Sequence, residues 1–332
     1  MKTVRWGILG AAKFAREHMG PAIHAAEGAE LVALATSSAE KAAPFRAFCP
    51  SLKIHDSYEA LLADPDIDAV HIPLPNHLHV EWALKAIAAG KHVLCEKPIA
   101  LRATEFDQLI AARDASGLML AEAFMIAHHP QWARVREWIS RGEIGRLRHV
   151  DAAFSFNNGS QPQNIRNRAE TGGGSLRDIG VYTFGAARFA TGAEAQDVQA
   201  RIIRENGTEI FAQVQAVMEG NGHRFTYGST TSMRLMNRQE VVFQGDLGLI
   251  RVASAPFNAG VYNVAEIELQ IPGPRSVVER FTVPNQYKLQ VEAFGRTIRD
   301  GAAYACPLEF SRGTQVMMDA AYDAAVEISL DH

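Results

Sequence analysis

The sequence predicts two domains. The first is an α/β domain with a doubly wound parallel sheet; the second is an α+β domain built on a large, mostly antiparallel open sheet. Two observations carry this. Over residues 1–123, short apolar runs alternate with helical periodicities, the pattern of a parallel sheet covered on both faces. After about residue 145, strand-like runs follow one another almost without helices between them, which calls for antiparallel pairing. The expected division is 1–125 and 126–332.

The elements follow in order. Residues 4–9 form an apolar run that leads into a glycine, and residues 12–26 have helical periodicity. A buried strand is expected over 31–35 and a helix over 39–48. Further strands are expected over 69–72, 92–95 and 119–123, separated by helices over 80–89 and 104–116. Parallel strands joined this way imply right-handed crossovers. A helix over 131–139 leads into the second half, with no low-complexity linker and no internal repeat. Strands are then expected over 147–156, 198–203, 210–218, 224–231, 240–244, 249–253, 264–271 and 277–283. One helix, over 176–190, interrupts them, and helices return over 287–299 and 311–330.

Composition narrows the functional classes. The chain has 332 residues, 47% of them hydrophobic, and a net charge of −4. That charge gives no electrostatic case for nucleic acid or an anionic membrane as partner. The sparse cysteines Cys49, Cys95 and Cys306 point to a reducing compartment without a disulfide framework. No stretch approaches the ~20 apolar residues of a membrane span, and the first residues lack a secretory signature. The expectation is a soluble cytoplasmic protein.

Four turns at strand ends carry the chemistry. After the first strand, Gly7-Ile8-Leu9-Gly10-Ala11-Ala12-Lys13-Phe14-Ala15 is a degraded G-x-G-x-x-G/A fingerprint, with Ala12 in the place of the second glycine. Such a turn lets backbone approach a pyrophosphate at a helix N-terminus, so Gly10, Ala12, Lys13 and Phe14 are cofactor candidates. An ordinary small-residue turn is the competing reading. NAD sites usually place an acidic residue at the tip of the second strand. Here the tip is Thr36-Ser37-Ser38, with Lys41 one turn on, and Glu30 lies at the wrong end of the strand. Three hydroxyls, a helix N-terminus and a lysine form a cradle for a 2′-phosphate, which favours NADP(H) over NAD(H). The competing reading is an N-cap followed by a solvated lysine.

The segment Pro73-Leu74-Pro75-Asn76-His77-Leu78-His79 makes a stiff turn from strand to helix. Pro73, Leu74, Asn76 and His79 are therefore placed around a nicotinamide ribose. His77 and His79, with His71 near, lack a carboxylate or cysteine to complete a metal set, and no metal is expected. Cys95-Glu96-Lys97-Pro98 closes the next strand. A lysine at the carboxyl end of a parallel strand faces the ligand crevice, and lysine is a side chain whose pKa moves readily on desolvation. Glu96, Lys97 and Pro98 are the candidates here; the alternative is a surface lysine after a strand.

Together these segments resemble the Gfo/Idh/MocA oxidoreductases. The resemblance rests on Trp6-Gly-Ile-Leu-Gly10, Asp64-Pro-Asp-Ile-Asp68-Ala-Val70, Pro75-Asn76-His77-Leu-His79 and Ala89-Gly90-Lys91-His92-Val-Leu-Cys-Glu96-Lys97-Pro98. It continues through Glu122-Ala-Phe-Met125, His129-Pro130-Gln131 and Gly172-Gly-Gly-Ser-Leu-Arg-Asp178-Ile-Gly180-Val-Tyr182, in family order over roughly the first 190 residues. It implies an N-terminal Rossmann domain and a C-terminal sheet that often forms homodimers or homotetramers. It also implies reversible hydride transfer between NAD(P) and a sugar, polyol or related alcohol or ketone. Lys97 matches the family lysine. Asp178 and Tyr182 match its Asp-x-x-x-His element in the tyrosine branch, which includes dihydrodiol, xylose and glucose–fructose enzymes. The Thr/Ser cradle is similar to that of anhydrofructose reductases. That branch usually has Tyr-Arg where this chain has Ile126-Ala127, so its substrates do not carry over.

Oxidising an alcohol requires a base for its hydroxyl proton. A free tyrosine, pKa about 10, is a poor one, and a neighbouring ammonium would favour its phenolate. Tyr182 as acid/base with Lys97 as its partner is one assignment; Lys97 as acid/base is the other. Asp178 stands one helical turn before Tyr182 and is expected to bind a substrate hydroxyl or orient Lys97. Asn164 and Arg166, in the polar loop 157–174, are candidates for the substrate or nicotinamide. A non-catalytic, nucleotide-sensing regulator of the same fold is the competing function.

Overall fold

A computed structural model gives the structure over residues 3–260, 263–273, 275–282 and 285–329. The expected strand end at Val283 and helix end at Leu330 lie outside the described residues. Contacts divide the chain into two units that are not contiguous in sequence. One comprises Met1–Ala100, Thr104–His128 and Pro284–Phe310; the other comprises Leu101–Ala103, His129–Val283 and Ser311–His332. A cut at residue 125 thus leaves Pro284–Phe310 out of the unit to which its contacts assign it. The apolar reason is visible within that unit: Phe294 packs its ring 5.2 Å from that of Trp6, and both are fully buried.

The first unit holds β1 (Val4–Leu9), α1 (Gly20–Ala25), β2 (Ala29–Ala35), α2 (Ala39–Phe48), β3 (Lys53–His55), α3 (Tyr58–Leu62), β4 (Ala69–Ile72), α4 (His79–Ala88), β5 (His92–Cys95), α5 (Glu105–Ser116) and β6 (Leu120–Glu122). The strands form a six-stranded sheet in the order β3-β2-β1-β4-β5-β6, all pairs parallel. Every residue of β4 is buried, and so are the last three of β5. Helices cover both faces of such a sheet, which is why these strands read as mostly apolar runs without alternation. The order reverses between β1 and β4, so a ligand crevice is expected outside their carboxyl ends.

The helix expected over 12–26 is instead a π-helical turn, Ala15–Met19, followed by α1. Pro21 stands at the start of α1, where its missing N–H breaks the regular ladder. The Gly20 N–H consequently reaches back to the Ala15 carbonyl, the wider spacing of a π turn.

The second unit opens with α6 (Pro130–Ser140) and β7 (Leu147–Asn157), then α7 (Val181–Thr191) after a π-helical turn Leu176–Gly180. β8 (Glu194–Glu205), β9 (Thr208–Gly220), β10 (His223–Ser232), β11 (Arg234–Gly245), β12 (Leu249–Ser254), β13 (Ala265–Ile271) and β14 (Arg275–Phe281) follow. The remaining helices are α8 (Gln286–Asp300), in the first unit, and α9 (Leu308–Asp323); a last strand, β15 (Ala325–Glu327), closes the order. These strands make a nine-stranded sheet, β14-β13-β12-β11-β7-β10-β9-β8-β15. It is antiparallel except at β7–β10 and β8–β15. From Phe225 to Thr231, strand β10 alternates buried residues with exposed or half-buried ones, as in a sheet with one covered and one open face. Among the described residues no helix is long and apolar enough to cross a membrane.

Candidate active site

An open cavity of about 500 Å³ lies in the first unit where the sequence order places the crevice. Its walls include Gly10 and Ala12 after β1, Thr36, Ser37 and Lys41 after β2, and Pro73 and Leu74 after β4. Gly10 has φ +103, and a Cβ there would stand 3.2 Å from both the Leu74 side chain and the Tyr58 hydroxyl. The position therefore needs glycine on conformational and steric grounds alike. Ser38 does not line the cavity. Its hydroxyl accepts from the Lys41 N–H and caps α2, the N-cap reading. Asp56, Ser57, Tyr58 and Glu59 also line it; they come from the short β3–α3 connection and the first turn of α3, a segment too short to be read as an element. The residues present fit a phosphorylated dinucleotide: a glycine turn at the switch point, and hydroxyls with an ammonium where an NAD site usually has a carboxylate.

Lys97 is half-buried at the end of β5. Two buried side chains hold its turn. The Glu122 carboxylate accepts from the Ile99 N–H at 2.9 Å. The His79 ring nitrogens lie 2.8 Å from the Pro98 carbonyl oxygen and 2.7 Å from that of Leu74. His79 is fully buried, so it ties the Leu74 and Pro98 segments together. Asn76 opens the short 3-10 turn before α4, Lys13 is exposed, and Phe14 packs its ring against His18 and Tyr287. Glu96 has one oxygen 3.7 Å from a ring nitrogen of buried His71. Among the described residues no group of His, Cys, Asp and Glu is arranged to hold a metal ion.

Asp178 and Tyr182 belong to the second unit. Asp178 sits in the π turn, and its Oδ2 accepts from the Arg166 Nε at 2.7 Å. The three glycines before it allow this approach. A Cβ on Gly173 would stand 2.4 Å from the Arg166 carbonyl oxygen, and Gly174 has φ +129. The Asn164 side chain accepts from the Arg166 N–H, capping the 3-10 turn Ile165–Asn167. Tyr182, 7% exposed, leans on Phe257 with ring centroids 5.5 Å apart. Phe257 in turn stacks on Phe154 at 5.0 Å. The Phe257 segment is held by α6: Gln131 Nε2 donates to the Ala255 and Pro256 carbonyls, and Trp132 Nε1 to Pro256.

The structure thus brings together Gly10, Ala12, Thr36, Ser37, Lys41, Pro73 and Leu74 in one cavity, and Arg166 with Asp178 in an ion pair. Each arrangement lies within one unit. A dinucleotide-dependent oxidoreductase is the class this architecture defines. Residues 4–124 match the family described as an oxidoreductase family with an NAD-binding Rossmann fold, and residues 132–251 match the GFO/IDH/MocA C-terminal domain. The chain belongs to the Gfo/Idh/MocA oxidoreductases. It is 38% identical over 96% of its length, and 96% of the other chain, to an uncharacterized oxidoreductase of Rhizobium meliloti. It is 32% identical to a D-xylose 1-dehydrogenase (NADP(+)) of Haloferax volcanii, covering 96% of this chain and 97% of that one. A 3-ketoreductase from Actinomadura kijaniata, solved with NADP and TDP-benzene, superposes with a TM-score of 0.87 at 28% identity, over 99% of this chain and 100% of that one.

Proposed function

We propose that this enzyme uses NADP(H) to interconvert a carbonyl and a secondary alcohol on a sugar or sugar derivative. The observation that carries the reading is the cavity at the β1–β4 switch point, with Thr36, Ser37 and Lys41 where an NAD enzyme usually places a carboxylate. The NADP named for two relatives supports it. Gly10 and Ala12 border the pyrophosphate path, Thr36, Ser37 and Lys41 receive the 2′-phosphate, and Pro73 and Leu74 line the way toward the ribose. When bound, the nicotinamide donates or accepts the hydride.

The chain's own residues handle the proton. In reduction, the hydride goes to the carbonyl carbon and a proton must reach the oxygen; in oxidation both leave. Tyr182 and Lys97 are the donor–acceptor pair in this reading, and Asp178, charge-paired with Arg166, holds a substrate hydroxyl. The buried rings of Phe154 and Phe257 keep Tyr182 in one orientation, which favours positioned proton transfer.

The reading extends to assembly and place. The open face of the nine-stranded sheet has a cavity bordered by Gln199, Gln213, Gln215 and Thr226 together with Asp151 and Asp197, a polar surface suited to a homodimer or homotetramer contact. All three cysteines are buried and none is in a disulfide, which suits the reducing cytoplasm.

The test is a panel of aldoses, ketosugars, inositols and diols, with and without a nucleotide diphosphate, followed by nicotinamide absorbance with each cofactor. Turnover with NADP(H) on at least one sugar-like compound is expected. Tight NADPH binding with no turnover of any member contradicts the reading and favours a nucleotide-sensing regulator.

A further inference from the structure

Glu209, near the start of β9, is 2% exposed. Strand β9 opens with three consecutive buried residues, Thr208, Glu209 and Ile210, where a strand with one open face ordinarily alternates. A buried carboxylate persists only if it is hydrogen-bonded. Its Oε1 accepts from the Ser175 hydroxyl at 2.5 Å, and its Oε2 accepts from the Leu176 N–H at 2.9 Å and from the Tyr322 hydroxyl at 3.4 Å. A carboxylate only accepts, so the single Ser175 proton is directed at Glu209. The 2.8 Å contact between Ser175 and Thr231 therefore runs from the Thr231 hydroxyl to the Ser175 oxygen.

Ser175 and Leu176 stand where the chain enters the π turn Leu176–Gly180. The first N–H groups of a helix lack partners inside it, and negative charge is stabilised there. Burial pushes the Glu209 carboxyl above its usual range, and the Leu176, Ser175 and Tyr322 donors oppose that, as does the charge of Arg204. The Arg177 guanidinium lies over the Tyr322 ring at 5.2 Å. The turn that carries Asp178, and the helix that carries Tyr182, are thus fastened to the sheet through one buried acid.

We propose that Glu209 is a positioning residue: through Ser175 and Leu176 it fixes the turn that sets Asp178 and Tyr182 in place for proton transfer. The proposal rests on the roles given above to those two residues. Glu209→Gln keeps the size but replaces one acceptor oxygen with a donor, so one of the two donors at positions 175 and 176 loses its partner.

The test uses NADPH with the ketosugar turned over fastest in the panel above. Glu209→Gln is expected to lower kcat by about tenfold to a hundredfold. The Kd for NADPH should stay as in the parent, and the primary deuterium isotope effect with 4-deuterated NADPH should grow as the chemical step slows. An unchanged kcat overturns the proposal. So does a loss of activity that appears only together with weaker NADPH binding, a lower melting temperature and an unchanged isotope effect, the pattern of a purely structural acid. If the glutamine variant does not fold, Thr231→Val removes only the donor to Ser175. It is then expected to lower kcat by about threefold at unchanged NADPH affinity, and a parental kcat overturns the proposal. Tyr182→Phe is measured in parallel. Full activity there refutes the catalytic reading itself, whereas an inactive Tyr182→Phe beside a fully active Glu209→Gln refutes only the role of Glu209.

Discussion

The Arg166 guanidinium holds the Asp178 carboxylate at 2.7 Å across twelve residues of chain. The Asp178 side chain is 12% exposed and that of Arg166 40%, so the pair joins a buried carboxylate to a partly solvated cation. Solvent screening weakens such a pair, and its stabilising contribution is at most about 1 kcal/mol. Its value lies in orientation. Asp178→Asn is expected to lower kcat/KM by about a hundredfold, and Arg166→Met by about tenfold, both without weakening NADPH binding. Steady-state kinetics beside fluorescence titration with NADPH checks this; equal kcat/KM for parent and Asp178→Asn contradicts it.

Lys97 is half-buried in a turn pinned by Glu122 and His79. Lys97→Met removes the ammonium and leaves those two contacts in place. Catalysis should fall by about 10²–10⁴-fold, with NADPH affinity changed by less than about threefold. Stopped-flow reduction of the best ketosugar gives the first number and equilibrium titration the second. A turnover within tenfold of the parent contradicts the assignment.

Lys41 tests cofactor choice. It is exposed at the cavity rim, one turn into α2, where Asp56 and Glu59 also border the space. Lys41→Ala should weaken NADP(H) binding by about tenfold or more and leave NAD(H) within about twofold. Calorimetric Kd values for both cofactors decide it, and an equal loss for both removes the 2′-phosphate role.

The parallel sheet was legible because each of its central strands is a short, mostly apolar run: Val4–Leu9, Ala69–Ile72 and His92–Cys95 occur where the runs lie. Strand β3 and helix α3 were not. Lys53-Ile54-His55 is a three-residue edge strand with one exposed and two half-buried residues, and it offers no periodicity. The cavity wall at Asp56, Tyr58 and Glu59 was missed with it. At the C-terminus the helical periodicity runs on past residue 323, but the chain turns and pairs Ala325–Glu327 with β8; no turn-forming Gly or Pro marks the change. Lys97, Asp178 and Tyr182 stood out through their motifs. Glu209 did not, because an acid at the start of an alternating strand reads as solvent-facing until its partners Ser175 and Leu176, more than thirty residues earlier, are folded against it. The Arg166–Asp178 pair likewise depends on a glycine turn and not on a spacing rule.

Acid should weaken the fold through buried histidines. Burial lowers the pKa of His71 from 6.5 to about 3 and that of His129 from 6.5 to about 4. The unfolded chain therefore binds protons below pH 6.5 that the folded chain refuses. The stability these neutral rings confer is complete above pH 6.5 and is lost as pH falls toward 3 to 4. Each ring contributes about 1.4 kcal/mol per pH unit inside that window. The His129 Nδ1 accepts from the Gln131 N–H as an N-cap, and His129→Asn keeps a capping acceptor. Urea unfolding between pH 6 and pH 4.5 should show a slope shallower by about one proton in this variant; an unchanged slope contradicts the buried neutral ring.

The central claim is that the chain delivers hydride from NADPH to a sugar-like carbonyl while Lys97 and Tyr182 manage the proton. The most direct measurement is transfer of deuterium from 4-deuterated NADPH to the carbinol carbon of the product, followed by mass spectrometry. It compares the parent, Lys97→Met and Tyr182→Phe at saturating cofactor. The account predicts that each product molecule formed by the parent carries one deuterium, and that in the same time either variant forms essentially no labelled product, although both bind NADPH as the parent does. Undiminished label with either variant, or no label from the parent on any ketosugar while NADPH is bound, contradicts it.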